Sequence, residues 1–162
     1  MSWTNAGGGN WSLGTNWSGG TAPGPADVAS ITLPGPYTVT VDQNVTVVGL
    51  ELGGASGVQT LTATSRTFTL NGPSTIGTNG VVSLSGGTIN GSGTLSNAGT
   101  ILLSGAVAFN GALTTVNPST IRVGGVDGPT VLTVATGFIN HGALELTSTT
   151  LGYNAQLAVT TG

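Results

Sequence analysis

The chain reads as an all-β protein, a single-stranded parallel β-helix (β-solenoid) of about seven coils behind a Trp-rich N-terminal cap. Three observations carry that expectation. Apolar residues alternate with polar ones in short runs, the mark of strands. Gly and Asn separate the runs, supplying positive φ at small steric cost. The runs also recur at a nearly constant interval, which a meander of hairpins does not require.

The recurrence is clearest between Gly80 and Gly105, where Val82-Ser83-Leu84 is answered by Ile101-Leu102-Leu103 after two shorter runs. A motif of alternating apolar positions begins at Ile31, Leu50, Phe68, Val82, Ile101, Ile121 and Leu144, giving steps of 19, 18, 14, 19, 20 and 23 residues. The short step predicts a missing strand or a misaligned coil. Asn97-Ala98-Gly99-Thr100-Ile101 and Asn140-His141-Gly142-Ala143-Leu144 share a turn as well as a strand. Apolar positions are expected to stack inward as ladders, about 4.8 Å from coil to coil. Thr, Ser, Glu51, Arg122 and Glu145 are expected to point outward.

Residues 1–29 differ from the coils. They hold all three tryptophans, Trp3, Trp11 and Trp17, and then Pro23-Gly24-Pro25. The open apolar end of a first coil needs a lid, and we read this segment as one. An exposed indole platform for sugars is the functional alternative. Coils are expected over 30–162, and the strand pattern running to Val159 suggests continuation in a longer parent chain. Asn10, Asn16 and Asn44 begin Asn-x-Ser/Thr tripeptides, the pattern of N-glycosylation, which arise by chance in so Asn/Ser/Thr-rich a chain.

Composition excludes several classes. Only Arg66 and Arg122 are strong cations, and the formal net charge is −3, so no basic face is available for nucleic acid. No apolar run spans a bilayer. Cysteine is absent, which removes disulfides and thiolate metal sites. Met1-Ser2-Trp3-Thr4 has no signal-peptide character.

The opening from Trp3 to Ile31, with Gly9-Asn10-Trp11-Ser12, Asn16-Trp17-Ser18-Gly19-Gly20 and the Pro-rich turn, resembles repetitive bacterial exported proteins. So do Tyr37–Asp42, Leu50–Gly53 and the Gly93–Ile101 coil. These are similar to autotransporter passengers and haemagglutinin-like adhesins. The resemblance implies a right-handed coil, export and a surface or matrix role, with no catalytic residue to carry over. The aspartate-bearing nonapeptide of calcium-binding β-rolls is not present at Gly53–Gly57 or Gly86–Asn90.

Site chemistry is sparse. Glu51 and Glu145 are read as sharing a coil position four to five coils apart, on the order of 20 Å, too far for paired carboxylates. Asp27 and Asp42 fall near the cap without an acid–base partner. His141 reads as a turn residue. Asp42 and Asp127, each in a turn, are candidate structural calcium ligands, but turn chemistry accounts for them. Thr38-x-Thr40 and Thr67-x-Thr69 fit the local pattern of an ice-binding face. The stacking read from sequence pairs Ser30/Thr32, Gly49/Glu51 and Thr67/Thr69, which is not a regular array. No catalytic, cofactor-binding or metal residue is assigned, and no cofactor. Phe68, Phe109 and Phe138 are read as inward and Tyr37 and Tyr153 as isolated. The expected function is a non-catalytic extracellular structural or adhesive module. The alternatives are a subunit that stacks through coil ends into filaments or surface layers, then a carbohydrate- or ice-binding module. Expected partners are further copies, neighbouring surface proteins or glycans.

Overall fold

The structure is a computed structural model and describes residues 1–125, 128–148 and 152–160. Parallel strands wind into a β-solenoid whose described residues form six coils and three faces. A short strand β1 (Gly9–Asn10) belongs to the cap. The first coil is β2 (Val28–Ile31), β3 (Tyr37–Val41) and β4 (Val45–Val47). In the next three coils the last two strands fuse around a corner. These coils are β5 (Gly49–Leu52) with β6 (Gln59–Leu70), β7 (Ser74–Ile76) with β8 (Gly80–Asn90), and β9 (Thr94–Asn97) with β10 (Thr100–Phe109). The fifth coil is β11 (Ala112–Thr115), β12 (Thr120–Gly125) and β13 (Thr130–Val134). The sixth is β14 (Phe138–Ile139), β15 (Ala143–Ser148) and β16 (Ala155–Val159).

Face A stacks β2, β5, β7, β9, β11 and β14. Face B stacks β1, β3, the first halves of β6, β8 and β10, then β12 and β15. Face C stacks β4, the second halves of the same long strands, then β13 and β16.

Alternation decides which side chains go inside. On face B, Val39, Leu61, Val82, Ile101, Ile121 and Leu144 lie in register as one inward ladder. On face C, Val45, Phe68, Ile89, Phe109, Val134 and Val159 form another. The first five members of each ladder are buried. Each fully buried Leu, Ile or Phe contributes about 1.5–3 kcal/mol through removal from water.

These registers correct the alignment read from sequence. The described residues form six coils, close to the count of about seven read from sequence. Ile31 faces Leu52 rather than Leu50, both on face A. Phe68 lies on face C, whereas Val82 lies on face B. The short step of the marker series was therefore a change of face. The face B ladder recurs at 22, 21, 19, 20 and 23 residues, with no strand missing.

Polar groups also enter the interior, at corners. Gln59 is fully buried. Its amide oxygen accepts the Gly54 N–H at 2.6 Å, and its nitrogen donates to the Gly35 and Ser56 carbonyls at 2.6 and 3.0 Å. On face A the ladder Leu52, Ile76 changes to Asn97 and Thr115 in the next two coils. Asn97 accepts the Gly99 N–H at 3.0 Å, and Thr115 donates to Asn140 at 2.7 Å while accepting the His141 N–H at 2.7 Å. Buried amides and hydroxyls are tolerated where they satisfy turn backbone in this way.

Candidate functional site: the cap and the outer faces

The cap is a three-tryptophan plug. Trp3, Trp11 and Trp17 are all buried. Trp17 meets Trp3 edge-on at 5.0 Å and Trp11 at 4.7 Å, and Trp11 sits edge-on against Phe68 at 5.4 Å. Such edge-to-face contacts add about 0.5–1.5 kcal/mol each beyond burial. Tyr37 is not isolated: its ring stacks on Trp3 at 6.4 Å. Burial pushes the Tyr37 phenol up. The nearby Leu33 backbone pulls the other way, although no hydrogen bond of good geometry reaches the hydroxyl.

The near-repeat of Asn-Trp-Ser has a structural reason. Trp17 Nε1 donates to the Trp11 carbonyl at 2.8 Å, and Trp3 Nε1 to the Asn5 carbonyl at 2.6 Å. Asn16 is buried, accepts from Asn5 Nδ2 at 3.0 Å and donates to the Asn10 carbonyl at 3.0 Å. Both ends of its amide thus help to hold the plug. Asn10 and Asn44 are exposed, and Asn44 accepts the Thr67 N–H at 3.0 Å. Since no indole face opens to solvent, the tryptophans form a lid and not a sugar platform.

Asp42 fastens this lid to the first coil. Its carboxylate accepts the Ser12 N–H at 3.0 Å and the Ser12 hydroxyl at 2.5 Å. Partial burial pushes the Asp42 carboxyl up. The hydroxyl and N–H of Ser12, its own backbone amide and the charge of Arg66 outweigh that and hold it below the usual carboxylate range. Asp27 does a separate local task, accepting the Gly24 N–H at 2.9 Å.

The remaining acids stand apart. Glu51 projects from face A between Ser30 and Thr75. Glu145 projects from face B and accepts Arg122 Nε at 2.7 Å. The two do not share a coil position, contrary to the reading from sequence. His141 is an exposed turn residue, and Asp127 lies outside the described residues. No group of three His, Asp or Glu comes together among the described residues.

The outer faces are lined by hydroxyls and methyls. One face B column runs Thr38, Thr60, Val81, Thr100, Thr120, Ala143, and its neighbour runs Thr40, Thr62, Ser83, Leu102, Arg122, Glu145. The Thr38/Thr40 row therefore stacks directly on Thr60/Thr62, a contact that the alignment from sequence missed. The array stops at Val81/Ser83. Thr67 and Thr69 belong to face C, beside Thr88 and Asn90. Depressions on these faces are shallow troughs between side chains, such as the one bordered by Thr88, Ala108 and Thr133.

Comparison with family models, with curated proteins and with solved structures returns no match. The functional reading therefore rests on the geometry and on the resemblance read from the sequence.

Proposed function

We propose that the chain is a non-catalytic structural or adhesive module of an exported or surface protein, a rod that displays neutral, hydroxyl-rich faces. One observation carries the reading. Among the described residues the acids and His141 form no group of three, while the outward columns repeat Thr, Ser and small apolar groups from coil to coil. Such a surface suits broad, weak contact with neighbouring proteins or glycans better than chemistry at a point. Protease treatment of intact cells that make the protein tests the exported location. Release of its peptides before those of internal proteins is expected, and retention of the chain inside intact cells would sink the reading.

A second reading, self-association, draws on the sixth coil. Leu146 and Val159 continue inward ladders yet are 50% and 49% exposed. The Trp plug covers the first coil, so association through these two exposed side chains yields pairs of rods instead of filaments. Light-scattering mass across a concentration series is expected to rise towards twice the monomer and to fall back in Leu146→Ser. A monomer at every concentration would dismiss this second reading, and growth beyond pairs would show that the plug does not close its end.

A further inference from the structure

The sequence contains four Asn-Gly steps, at Asn71, Asn79, Asn90 and Asn110. In such a step the glycine nitrogen can attack the asparagine Cγ. A five-membered succinimide closes, and the amide nitrogen leaves as ammonia, carrying the proton that the glycine nitrogen gave up. Water then opens the ring to aspartate or isoaspartate. The only co-reactant is water. Two local features bear on the rate in a folded chain: whether the glycine N–H is free to lose its proton, and whether the side-chain carbonyl is polarised.

The four steps differ on both counts. The Gly72 N–H is held by the Val48 carbonyl at 2.5 Å, and the Gly80 N–H by the Gly77 carbonyl at 2.8 Å. Asn79 is tied further, its Nδ2 donating to the Gly54 carbonyl at 2.8 Å. No hydrogen bond holds the N–H of Gly91 or Gly111 among the described residues. Asn90 has one more feature. Phe109 lies in register with Ile89, which sets Asn110 level with Asn90 on the next coil. Asn110 Nδ2 then donates to Asn90 Oδ1 at 2.7 Å. That oxygen gathers negative charge when Cγ is attacked, and a donor already aimed at it lowers the barrier. Asn110 is exposed and Asn90 half-buried, so water can reach the pair.

We propose that Asn90-Gly91 is a site of spontaneous deamidation, assisted by the side-chain amide of Asn110. Asn110 acts as a positioning and polarising residue, and its own step, with a free glycine N–H but no donor, reacts second. Conversion at Asn90 sets a carboxylate on face C beside the Asn110 amide. The isoaspartate product also inserts a carbon into the main chain at a corner where Gly91, at φ +116°, packs against the Leu70 backbone without room for a Cβ.

The test is peptide mass spectrometry after incubation of the folded protein at mildly alkaline pH. Mass gains of amide-to-acid conversion are expected first at Asn90, then at Asn110, and last at Asn71 and Asn79. In denaturant the order should collapse, since hydrogen bonding no longer separates the four. Asn110→Ala, checked for folding by circular dichroism, is expected to slow conversion at Asn90 roughly tenfold, a fraction of the effect of a buried oxyanion donor, and to leave Asn71 and Asn79 unchanged. Conversion of Asn71 or Asn79 as fast as Asn90 in the folded wild-type chain would overturn the proposal without recourse to the variant. An unchanged Asn90 rate in folded Asn110→Ala would remove the assistance.

Discussion

The first and sixth coils are built from the same pattern and meet different surroundings. In the first, Ile31, Val39 and Val47 are fully buried beneath the tryptophan plug. In the sixth, Leu144 and Leu157 are only partly covered, and Leu146 and Val159 are about half exposed, although their ladders point them inward. Val123 and Val134, one coil earlier on those ladders, are fully buried. In a solenoid, an inward side chain is thus buried by its own coil and by the coils on either side. Burial belongs to the stack, and the plug supplies for the first coil what a preceding coil would otherwise supply.

The largest expected effect breaks the stack in its middle. Ile101 is fully buried on face B, and Thr100 beside it points outward. Ile101→Asp removes an apolar side chain and buries a charge without a partner, and should cost more than the about 2–5 kcal/mol of an isoleucine-to-alanine change. Thr100→Asp should cost less than about 1 kcal/mol. Thermal unfolding followed by circular dichroism distinguishes them, and similar midpoints would mean that the ladder assignment is wrong.

The next contrast sharpens the comparison of the ends. Trp11→Ala empties the centre of the plug and should destabilise by about 3–5 kcal/mol. Leu146→Ser, at a half-exposed position of the sixth coil, should cost no more than about 1 kcal/mol. Denaturant titration measures both. A Leu146→Ser cost as large as that of Trp11→Ala would show that the sixth coil is covered as well as the first.

The smallest effect is at the cap latch. The Asp42 carboxyl is held below its usual range when folded. Its contribution is therefore present above the ordinary carboxylate value of about 4 and fades as the pH falls through the lower folded value. Tryptophan fluorescence reports this region directly, since all three tryptophans lie in the cap. Acidification below about pH 4 should loosen the cap of the wild type, and Asp42→Asn should flatten that acid response. An identical acid response in the two would assign it to other groups.

Much of the architecture was legible in the residues. Alternation in Tyr37–Val41 and Val82–Leu84 marked strands with one buried side, and Gly and Asn marked the corners. Phe68 and Phe109 were legible as inward, and His141 as a turn residue. The cap was legible as a lid from its aromatic content, but Tyr37 was not legible as part of it, because its partner Trp3 is remote in sequence. Asn97 and Thr115 looked like turn punctuation, yet they lie inside, where hydrogen bonds to the next turn replace an apolar ladder. The Asn90–Asn110 amide contact was equally hidden. The sequence shows four similar Asn-Gly steps, and only stacking sets one donor against one carbonyl.

The sequence by itself determined a β-solenoid with a tryptophan lid, because side-chain alternation and turn chemistry are local properties of the chain. The tertiary structure alone decided which run stacks on which. All three faces use the same alternating motif, so Ile31, Phe68 and Val82 look equivalent when read along the chain. Only closure of each coil, through corners of unequal length, assigns them to different faces. The number of coils and the neighbours of Asp42, Glu51, Asn90 and Glu145 all follow from that assignment.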